Sequence, residues 1–197
     1  LRSDCLHNPL GNQGHTYGLS MWLPYHGTGS SQTDKYDLRS AMCASHFIAC
    51  WDMRDGNLDY DLFRKLVADW RLTAPICLHG DYYPLSPHSL DEDRWMAWQF
   101  DRRETGEGYV QAFRHAKSDY EVARYRLKGL DTGASYMIRN LDTGEFVTMT
   151  GKQMMEEGLA VSIAERPGST TDSFACGICI SRPARRRSWS GTPGCFS

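Results

Sequence analysis

The chain has 197 residues, of which 41% are hydrophobic and 23% charged, and its formal net charge is −2. This composition is typical of a globular protein and excludes collagen-like, intrinsically disordered and disulfide-scaffold chains. The small excess of acids argues against a nucleic-acid partner, and no stretch approaches the roughly 18 apolar residues of a membrane span.

Two short apolar runs predict buried strands in the first part of the chain. Residues 19–25 form the first run, between a glycine-rich loop at 11–18 and a second loop at 27–31. Residues 47–51 form the second run, which ends at Asp52 before a turn. Short apolar runs bounded by turn residues are typical of buried strands.

The next predicted element is an amphipathic helix. Hydrophobic residues recur at helical spacing from Leu58 to Trp70, Asn57 is a candidate N-cap, and Pro75 is predicted to lie beyond the end of the helix. A buried strand, a short loop and an amphipathic helix form the unit of an α/β fold. We assign residues 1–87 to this part.

The second half changes to short strands separated by glycine-containing turns. Residues 95–100 and 109–114 flank such a turn and predict a hairpin. The tetrapeptide Leu-Asp-Thr-Gly occurs twice, at 130–133 and 141–144, on either side of an alternating strand at 135–140. Asp and Gly supply turn chemistry, so both copies are predicted to be hairpin turns.

A short helix and one more strand complete this pattern. Thr150 and Gln153 predict a capping box for a helix that stops at Gly158, and residues 159–164 predict the strand. We therefore expect residues 88–168 to form an antiparallel β domain.

The end of the chain differs in composition from the rest. Residues 172–197 contain four arginines, three cysteines and a single acid, with no hydrophobic period. We expect residues 169–197 to be a disordered or out-of-frame tail, because this bias begins abruptly near Thr171.

The cysteines and histidines predict neither disulfides nor a metal site. Seven cysteines at irregular spacing are typical of free thiols in a reducing compartment, which favours a cytoplasmic location. Cys43 with His46, and Cys176 with Cys179, each lack a second ligand pair, so no metal is expected. The chain also lacks a serine nucleophile elbow and a phosphate-binding loop, and no cofactor is implied.

Aromatic residues beside acids are the remaining chemical signal. They suit sugars, because the C–H face of a pyranose stacks on a ring while its hydroxyls need acceptors. Each residue alone is more typical of a core or rim position, but the ends of apolar runs are where an α/β barrel places its site loops. The candidates are Trp22, Tyr25, Trp51, Asp52, Asp55, Asp81, Tyr82 and Tyr83.

Several segments together resemble one protein family. These segments are Ser3-Asp4, the string from Gly11 to Tyr25 that contains Asn-Gln-Gly-His-Thr-Tyr-Gly-Leu, residues 51–55 and residues 95–167. They are similar to the C-terminal part of bacterial α-galactosidase-like proteins of glycoside hydrolase family 36. The resemblance covers roughly residues 1–168. It implies an α/β plus all-β architecture, in which the end of a (β/α)8 TIM barrel is followed by a C-terminal antiparallel β-sandwich domain.

The resemblance also implies a mechanism and one site residue. The family hydrolyses terminal α-galactosides with retention, by means of two aspartates. Its acid/base lies in a Ser-Asp motif that maps onto Ser3-Asp4, so Asp4 is the candidate general acid/base. Its nucleophile lies in a Lys-Trp-Asp type motif that would precede Leu1. Trp51-Asp52 follows Asp4 and lacks the lysine, so it is not assigned as the nucleophile.

The expected function is that of a fragment of a retaining glycoside hydrolase that acts on α-galactoside oligosaccharides. Because one of the two carboxylates is missing, we expect the 197-residue chain alone to be inactive. The alternative is a non-catalytic carbohydrate-binding or structural β module. Neither nucleic acid nor membrane is an expected partner, an oligomer of the full-length protein is left open, and the residues assign no sugar-binding positions.

Overall fold

The computed structural model describes residues 8–43 and 46–177. The first part combines three helices with two short strands, and the second is β structure with one short helix. Within the described ranges, no helix has the length and apolarity needed to cross a membrane. The elements are α1 (Pro9–Leu19), β1 (Gly27–Ser30), α2 (Lys35–Ala41), β2 (His46–Ala49), α3 (Tyr60–His79), β3 (Asp81–Pro84), β4 (Trp95–Arg102), β5 (Glu107–Arg114), β6 (Val122–Tyr125), β7 (Ser135–Asn140), β8 (Phe146–Thr150), α4 (Gly151–Glu156), β9 (Leu159–Ser162) and β10 (Gly168–Cys176).

Helix α1 occupies the segment predicted to be a glycine-rich loop, and the run at 19–25 predicted to be a strand is mostly the turn that follows it. The side chain of Asn8 caps the helix by accepting a hydrogen bond from the backbone N–H of Gly11 at 2.8 Å. Pro9 follows the cap in the first turn, where a proline costs no hydrogen bond. Both predictions are wrong here, because buried side-chain hydrogen bonds along α1 outweigh the low helix propensity of its glycines.

Strand β1 lies where the second loop was predicted. It pairs in parallel with β2, from Gly27 opposite His46 to Ser30 opposite Ala49. A Cβ atom at Gly27 would lie 2.1 Å from the carbonyl oxygen of His46, so glycine is needed for the two strands to approach. The predicted strand at 47–51 is confirmed as β2, which begins one residue earlier, at His46, and ends two residues earlier, at Ala49.

Helix α3 is confirmed but is longer than predicted. Asp59, not Asn57, caps its start, and the helix continues through Pro75. Beyond the proline, Ile76 and Cys77 are buried in a hydrophobic cluster with residues of the large sheet. This burial outweighs the backbone hydrogen bond that a proline inside a helix cannot donate.

The second part forms two antiparallel sheets. Six strands make the large sheet in the order β3-β4-β5-β10-β7-β8, and β6 pairs with β9 in a small sheet. Buried residues of both sheets, among them Val110, Ile138 and Val161, share one core, which is the arrangement of a β-sandwich. The first strand of the large sheet, Asp81–Pro84, lies before the expected domain boundary at residue 87.

Most local predictions for this part are confirmed. Strands β4 and β5 form the predicted hairpin, and the second Leu-Asp-Thr-Gly joins β7 to β8 as a hairpin turn. The first copy is a turn but not the predicted hairpin turn, because β6 before it pairs with β9 and not with β7. Thr150 and Gln153 form the capping box of α4. Gly158 follows that helix with a φ of 87°, a left-handed conformation that favours glycine.

Strand β10 overturns part of the expected tail. Residues 168–176 lie between β5 and β7 in the middle of the large sheet, paired with β5 from Gly168 to Ala175. The expectation that a disordered or out-of-frame tail begins at residue 169 is therefore wrong as far as Cys176, because these residues complete the ladders of two neighbouring strands. Residues 178–197 lie outside the described residues.

A partly buried ion pair joins the first part of the chain to the sandwich. Arg39 of α2 is 3% exposed and donates to the two carboxylate oxygens of Asp142 at 2.8 and 2.6 Å and to the carbonyl oxygen of Ser169 at 2.8 Å. Burial alone would raise the pKa of Asp142, but its hydrogen bond to Arg39 and the nearby charges of Arg39 and Lys35 outweigh burial and hold the pKa at about 2. Asp142 is therefore a carboxylate at neutral pH, and together with the Ser169 carbonyl of β10 it positions α2 on the sandwich.

Candidate active site

The carboxyl ends of β1 and β2 meet at one edge, because the two strands are parallel and in register to Ser30 and Ala49. In barrels of alternating strands and helices, the catalytic side chains come from the loops that follow the strands. The corresponding loops here are residues 31–34 and 50–59. We call these two loops and the strand ends before them the carboxyl edge.

Asp52 lies on the second loop of the carboxyl edge and is held by Arg54. Its carboxylate accepts hydrogen bonds from Nε and Nη2 of Arg54 at 2.9 and 2.7 Å, and from the backbone N–H of Arg54 at 2.9 Å. These bonds lower the pKa of the exposed carboxyl. A carboxyl held in its ionised form is unsuited to protonate a leaving group, so Asp52 does not fit the role of general acid.

Trp51 lies at the same edge but packs against the core. Its ring meets the ring of Phe63 edge to face, with the centroids 5.1 Å apart, and lies 6.4 Å from that of Phe47. The buried indole N–H has no hydrogen-bond partner among the described residues. Trp51 therefore anchors the second loop on α3 while keeping an unused donor.

A pair of carboxyl groups that the sequence reasoning missed follows β1. Asp34 caps α2 by accepting hydrogen bonds from the backbone N–H groups of Tyr36 and Asp37, each at 3.0 Å. Burial, followed by the hydrogen bond and charge of Asp34, raises the pKa of Asp37 to about 7. A carboxyl that keeps its proton near neutral pH is a feature of catalytic sites. The available signal was the spacing Asp-Lys-Tyr-Asp after a predicted loop.

Five of the eight aromatic and acidic candidates lie away from the carboxyl edge. Trp22 and Tyr25 are exposed and precede β1, so they lie at its amino end. Asp81, Tyr82 and Tyr83 belong to β3 in the large sheet. The expectation that all eight lie on site loops is wrong for these five. The predicted strand before Tyr25 is a helix and a turn, and residues 81–83 pair with β4 as the edge strand of the large sheet. The other three candidates lie on the second loop.

Asp4, the candidate general acid/base, and its neighbour Ser3 lie outside the described residues. The described chain begins at Asn8, the cap of α1. The role of Asp4 therefore stays a prediction from the resemblance.

The most specific string of the resemblance holds α1 in place. The side-chain oxygen of Asn12 accepts a hydrogen bond from the Thr28 hydroxyl of β1 at 2.6 Å. Gln13 donates to the hydroxyl of Ser40 in α2 at 2.9 Å, and its oxygen lies 3.0 Å from Nε2 of His115, just beyond β5. These buried side chains join α1 to three other parts of the molecule, so their role is structural.

The described ranges contain no group of three or more His, Cys, Asp or Glu side chains that could hold a metal ion. Cys43 is buried and donates to the carbonyl oxygen of Ser40 at 2.7 Å, and burial is the main cause that raises the pKa of its thiol to about 12. Cys176 is buried as a free thiol. Cys179, which would form a pair of metal ligands with Cys176, lies outside the described residues.

The sandwich matches a known family by sequence. Residues 95–174 match the family described as the glycosyl hydrolase family 36 C-terminal domain. This range covers β4 to most of β10. No curated protein matches the chain in sequence.

Solved structures extend the likeness to most of the described chain. A variant of the GH36 α-galactosidase AgaA from Geobacillus stearothermophilus, in complex with raffinose, is 19% identical, with a TM-score of 0.69 over 86% of this chain and 24% of its own. AgaB from the same organism is 22% identical, with a TM-score of 0.66 over 85% of this chain and 24% of its own. The galactosidase domain of the α-galactosidase-sucrose kinase AgaSK is 18% identical, with a TM-score of 0.67 over 86% of this chain and 25% of its own. The chain thus spans about a quarter of their length, and at these identities the likeness establishes the fold.

Proposed function

We propose that the chain is the C-terminal part of a retaining glycoside hydrolase that acts on terminal α-galactosides, because residues 95–174 match the family described as the glycosyl hydrolase family 36 C-terminal domain. The observation that carries this proposal is the agreement of two independent likenesses. The sequence match covers the sandwich, whereas the structural match to α-galactosidases reaches 86% of the chain and so includes elements before it.

The first part of the chain is proposed to be the last strand and helix units of a (β/α)8 barrel. Its two strands are parallel, and each is followed by a helix. Among the described residues, β1 and β2 pair only with each other. Two short parallel strands leave unpaired edges on both sides, and a barrel removes such edges by adding strands until the sheet closes.

The chemistry proposed for this site is a double displacement by two carboxyl groups. Retention requires them about 5–5.5 Å apart, with the acid/base protonated when the glycosidic bond breaks and ionised when water attacks. Asp4 is proposed as the acid/base, since it occupies the Ser-Asp motif. Asp52 is not proposed as the second carboxylate, because both of its oxygens already accept hydrogen bonds from the Arg54 side chain. We propose that the nucleophile lies on a strand before Leu1.

The test compares the 197-residue chain with the protein expressed from its gene together with any upstream reading frame. We expect no hydrolysis of an aryl α-galactoside by the chain alone, and hydrolysis with retention by the extended protein. Asp4→Asn in the extended protein should lower kcat for raffinose by about 10²–10⁴. The loss should be smaller for the aryl substrate, because its leaving group needs less protonation.

Asp61→Asn is the control for the extended protein, since this carboxylate is exposed on α3 and, within the residues that the structure describes, pairs with Arg64 alone. Asp61→Asn should leave the rates of hydrolysis of raffinose and of the aryl α-galactoside unchanged. Turnover by the 197-residue chain that disappears in Asp4→Asn would overturn the assignment of the nucleophile. Inversion of the anomeric configuration by the extended protein would overturn the mechanism.

A further inference from the structure

A groove of about 900 Å³ lies between strands β8 and β9 of the sandwich. Its volume is in the range of small-molecule sites, about 300–1,000 Å³. Strand β8 is at one edge of the large sheet, and β9 belongs to the two-stranded sheet. The small sheet is too narrow to cover the large one, so the sandwich is open at this side. The lining includes Asn140, Glu145, Phe146, Val147, Ser162 and Asp172.

Asp172 supplies a buried acceptor to the groove. The residue is 7% exposed, and its Oδ1 accepts a hydrogen bond from the side-chain amide of Asn140 at 2.9 Å. Within the described part of the chain, this carboxylate makes no other side-chain hydrogen bond. A carboxylate has about four acceptor positions, so Asp172 can accept further hydrogen bonds from a ligand that enters the groove.

Asn140 holds Asp172 in this position. The Asn140 side-chain oxygen accepts the backbone N–H groups of Asp142 and Thr143, each at 2.9 Å, and its amide nitrogen also donates to the hydroxyl of Thr170 at 3.0 Å. These contacts fix the amide with its nitrogen towards Asp172. The acceptor is therefore preorganised, which lowers the cost of binding.

An exposed aromatic ring lies in the same groove. Phe146 is 73% exposed and is followed by the half-exposed Val147. Large apolar side chains left exposed beside a preorganised polar group are typical of a binding surface. A ring beside a carboxylate suits a pyranose, whose C–H face is apolar and whose hydroxyls donate hydrogen bonds.

The charge of the groove selects against anionic ligands. Glu145 and Asp172 are acidic, and the lining residues in the described chain include neither lysine nor arginine. A phosphorylated or sulfated ligand would meet like charge without a cation in this lining to offset it. A neutral ligand with many hydroxyl groups meets no such penalty.

We propose that this groove is a non-catalytic binding site for a neutral oligosaccharide, in which Phe146 stacks on a pyranose ring and Asp172 accepts hydrogen bonds from its hydroxyls. The site lies in the sandwich and uses no residue of the carboxyl edge. It therefore goes beyond the proposed hydrolase function and does not depend on it.

The test is a titration of the isotope-labelled 197-residue chain with raffinose, followed by backbone NMR shifts. We expect saturable shifts at amides of residues 140–147 and 159–164. Phe146→Ser should weaken raffinose binding about tenfold, because it removes the stacking surface, whereas Phe146→Trp should retain binding. Tyr120→Ser is the matched control, since Tyr120 is an aromatic residue that is 76% exposed elsewhere in the sandwich.

Two results would overturn the proposal. One is the absence of saturable shifts in the groove, and the other is an affinity that Phe146→Ser leaves unchanged. If raffinose has no effect but Phe146→Ser abolishes self-association in sedimentation, the groove is an interface between two copies of the chain. Failure of the hydrolase proposal would be seen in turnover, which this titration does not measure.

Discussion

Two aspartates in identical tetrapeptides have different roles in this molecule. In the first Leu-Asp-Thr-Gly, the carboxylate of Asp131 accepts the backbone N–H of Gly133 at 2.9 Å within its own turn. In the second, Asp142 binds Arg39 from the other part of the chain, 103 residues away in sequence. Local chemistry predicts both turns, but it does not predict the ion pair, because the partner is distant in sequence.

The Asp142 ion pair predicts a specific dependence of stability on pH. Its folded-state pKa of about 2 lies below the ordinary value of 3.8, so the unfolded state binds a proton first as the pH falls. The stabilisation is therefore present above about pH 5 and is lost between pH 4 and 2. Asp142→Asn should reduce the free energy of unfolding by about 2 kcal/mol at pH 7, and the difference should fall to less than about 1 kcal/mol at pH 2.

Urea denaturation of the unsubstituted chain and of Asp142→Asn between pH 7 and pH 2 measures the difference in the free energy of unfolding. Asp61→Asn serves as the comparison, because its ion pair with Arg64 is exposed and should contribute less than about 1 kcal/mol at any pH. A difference for Asp142→Asn that stays constant from pH 7 to pH 2 would contradict the role assigned to the carboxylate.

At the scale of elements, tertiary contacts override local preferences in the first part of the chain. Helix α1 contains three glycines, yet it forms because Asn12 and Gln13 are buried and hydrogen bonded to neighbouring elements. Helix α3 passes through Pro75 because the residues beyond it are buried against the large sheet. In the sandwich, the same local reasoning predicts the β4–β5 hairpin, β7 and α4 correctly, because alternation and turn residues there agree with the tertiary structure. It misses the central strand β10.

Two glycines of the first part should respond oppositely to alanine. Gly27→Ala places a Cβ atom 2.1 Å from the carbonyl oxygen of His46, so β1 and β2 must move apart at a cost of about 1–3 kcal/mol. Gly18→Ala meets nothing within 4 Å and lies inside α1, where alanine should stabilise the helix by about 0.5–1 kcal/mol.

The midpoints of urea denaturation for the two variants provide the measurement, with the unsubstituted chain as the reference. Equal destabilisation by both variants would contradict the open surroundings of Gly18. A Gly27→Ala variant as stable as the unsubstituted chain would contradict the close approach of β1 and β2.

At the scale of the whole molecule, the last described strand completes the large sheet from the middle. Strand β10 lies between β5 and β7, and the carbonyl oxygen of Ser169 near its start also binds Arg39 of α2. The large sheet therefore requires β10, and so does the contact between the first part of the chain and the sandwich. A chain without β10 has two unpaired strand edges where a central strand should be.

A truncation pair tests this arrangement. A chain that ends after Pro167 should lose cooperative unfolding, because the large sheet lacks its central strand. A chain that ends after Gly177 keeps every described strand and should unfold cooperatively. Thermal unfolding followed by circular dichroism distinguishes the two, and a cooperative transition in the shorter chain would contradict the central place of β10.

The sequence by itself determined the β4–β5 hairpin, β7, the capped helix α4 and the family resemblance, because hairpins, turns and caps depend on neighbours in sequence. It also predicted α3 and β2 from hydrophobic periodicity. The tertiary structure alone decided that residues 9–19 form a helix, that residues 168–176 form a central strand, and which candidates lie at the carboxyl edge. Those outcomes depend on contacts between distant residues, such as Gln13 with His115 and Arg39 with Asp142, which no local pattern encodes.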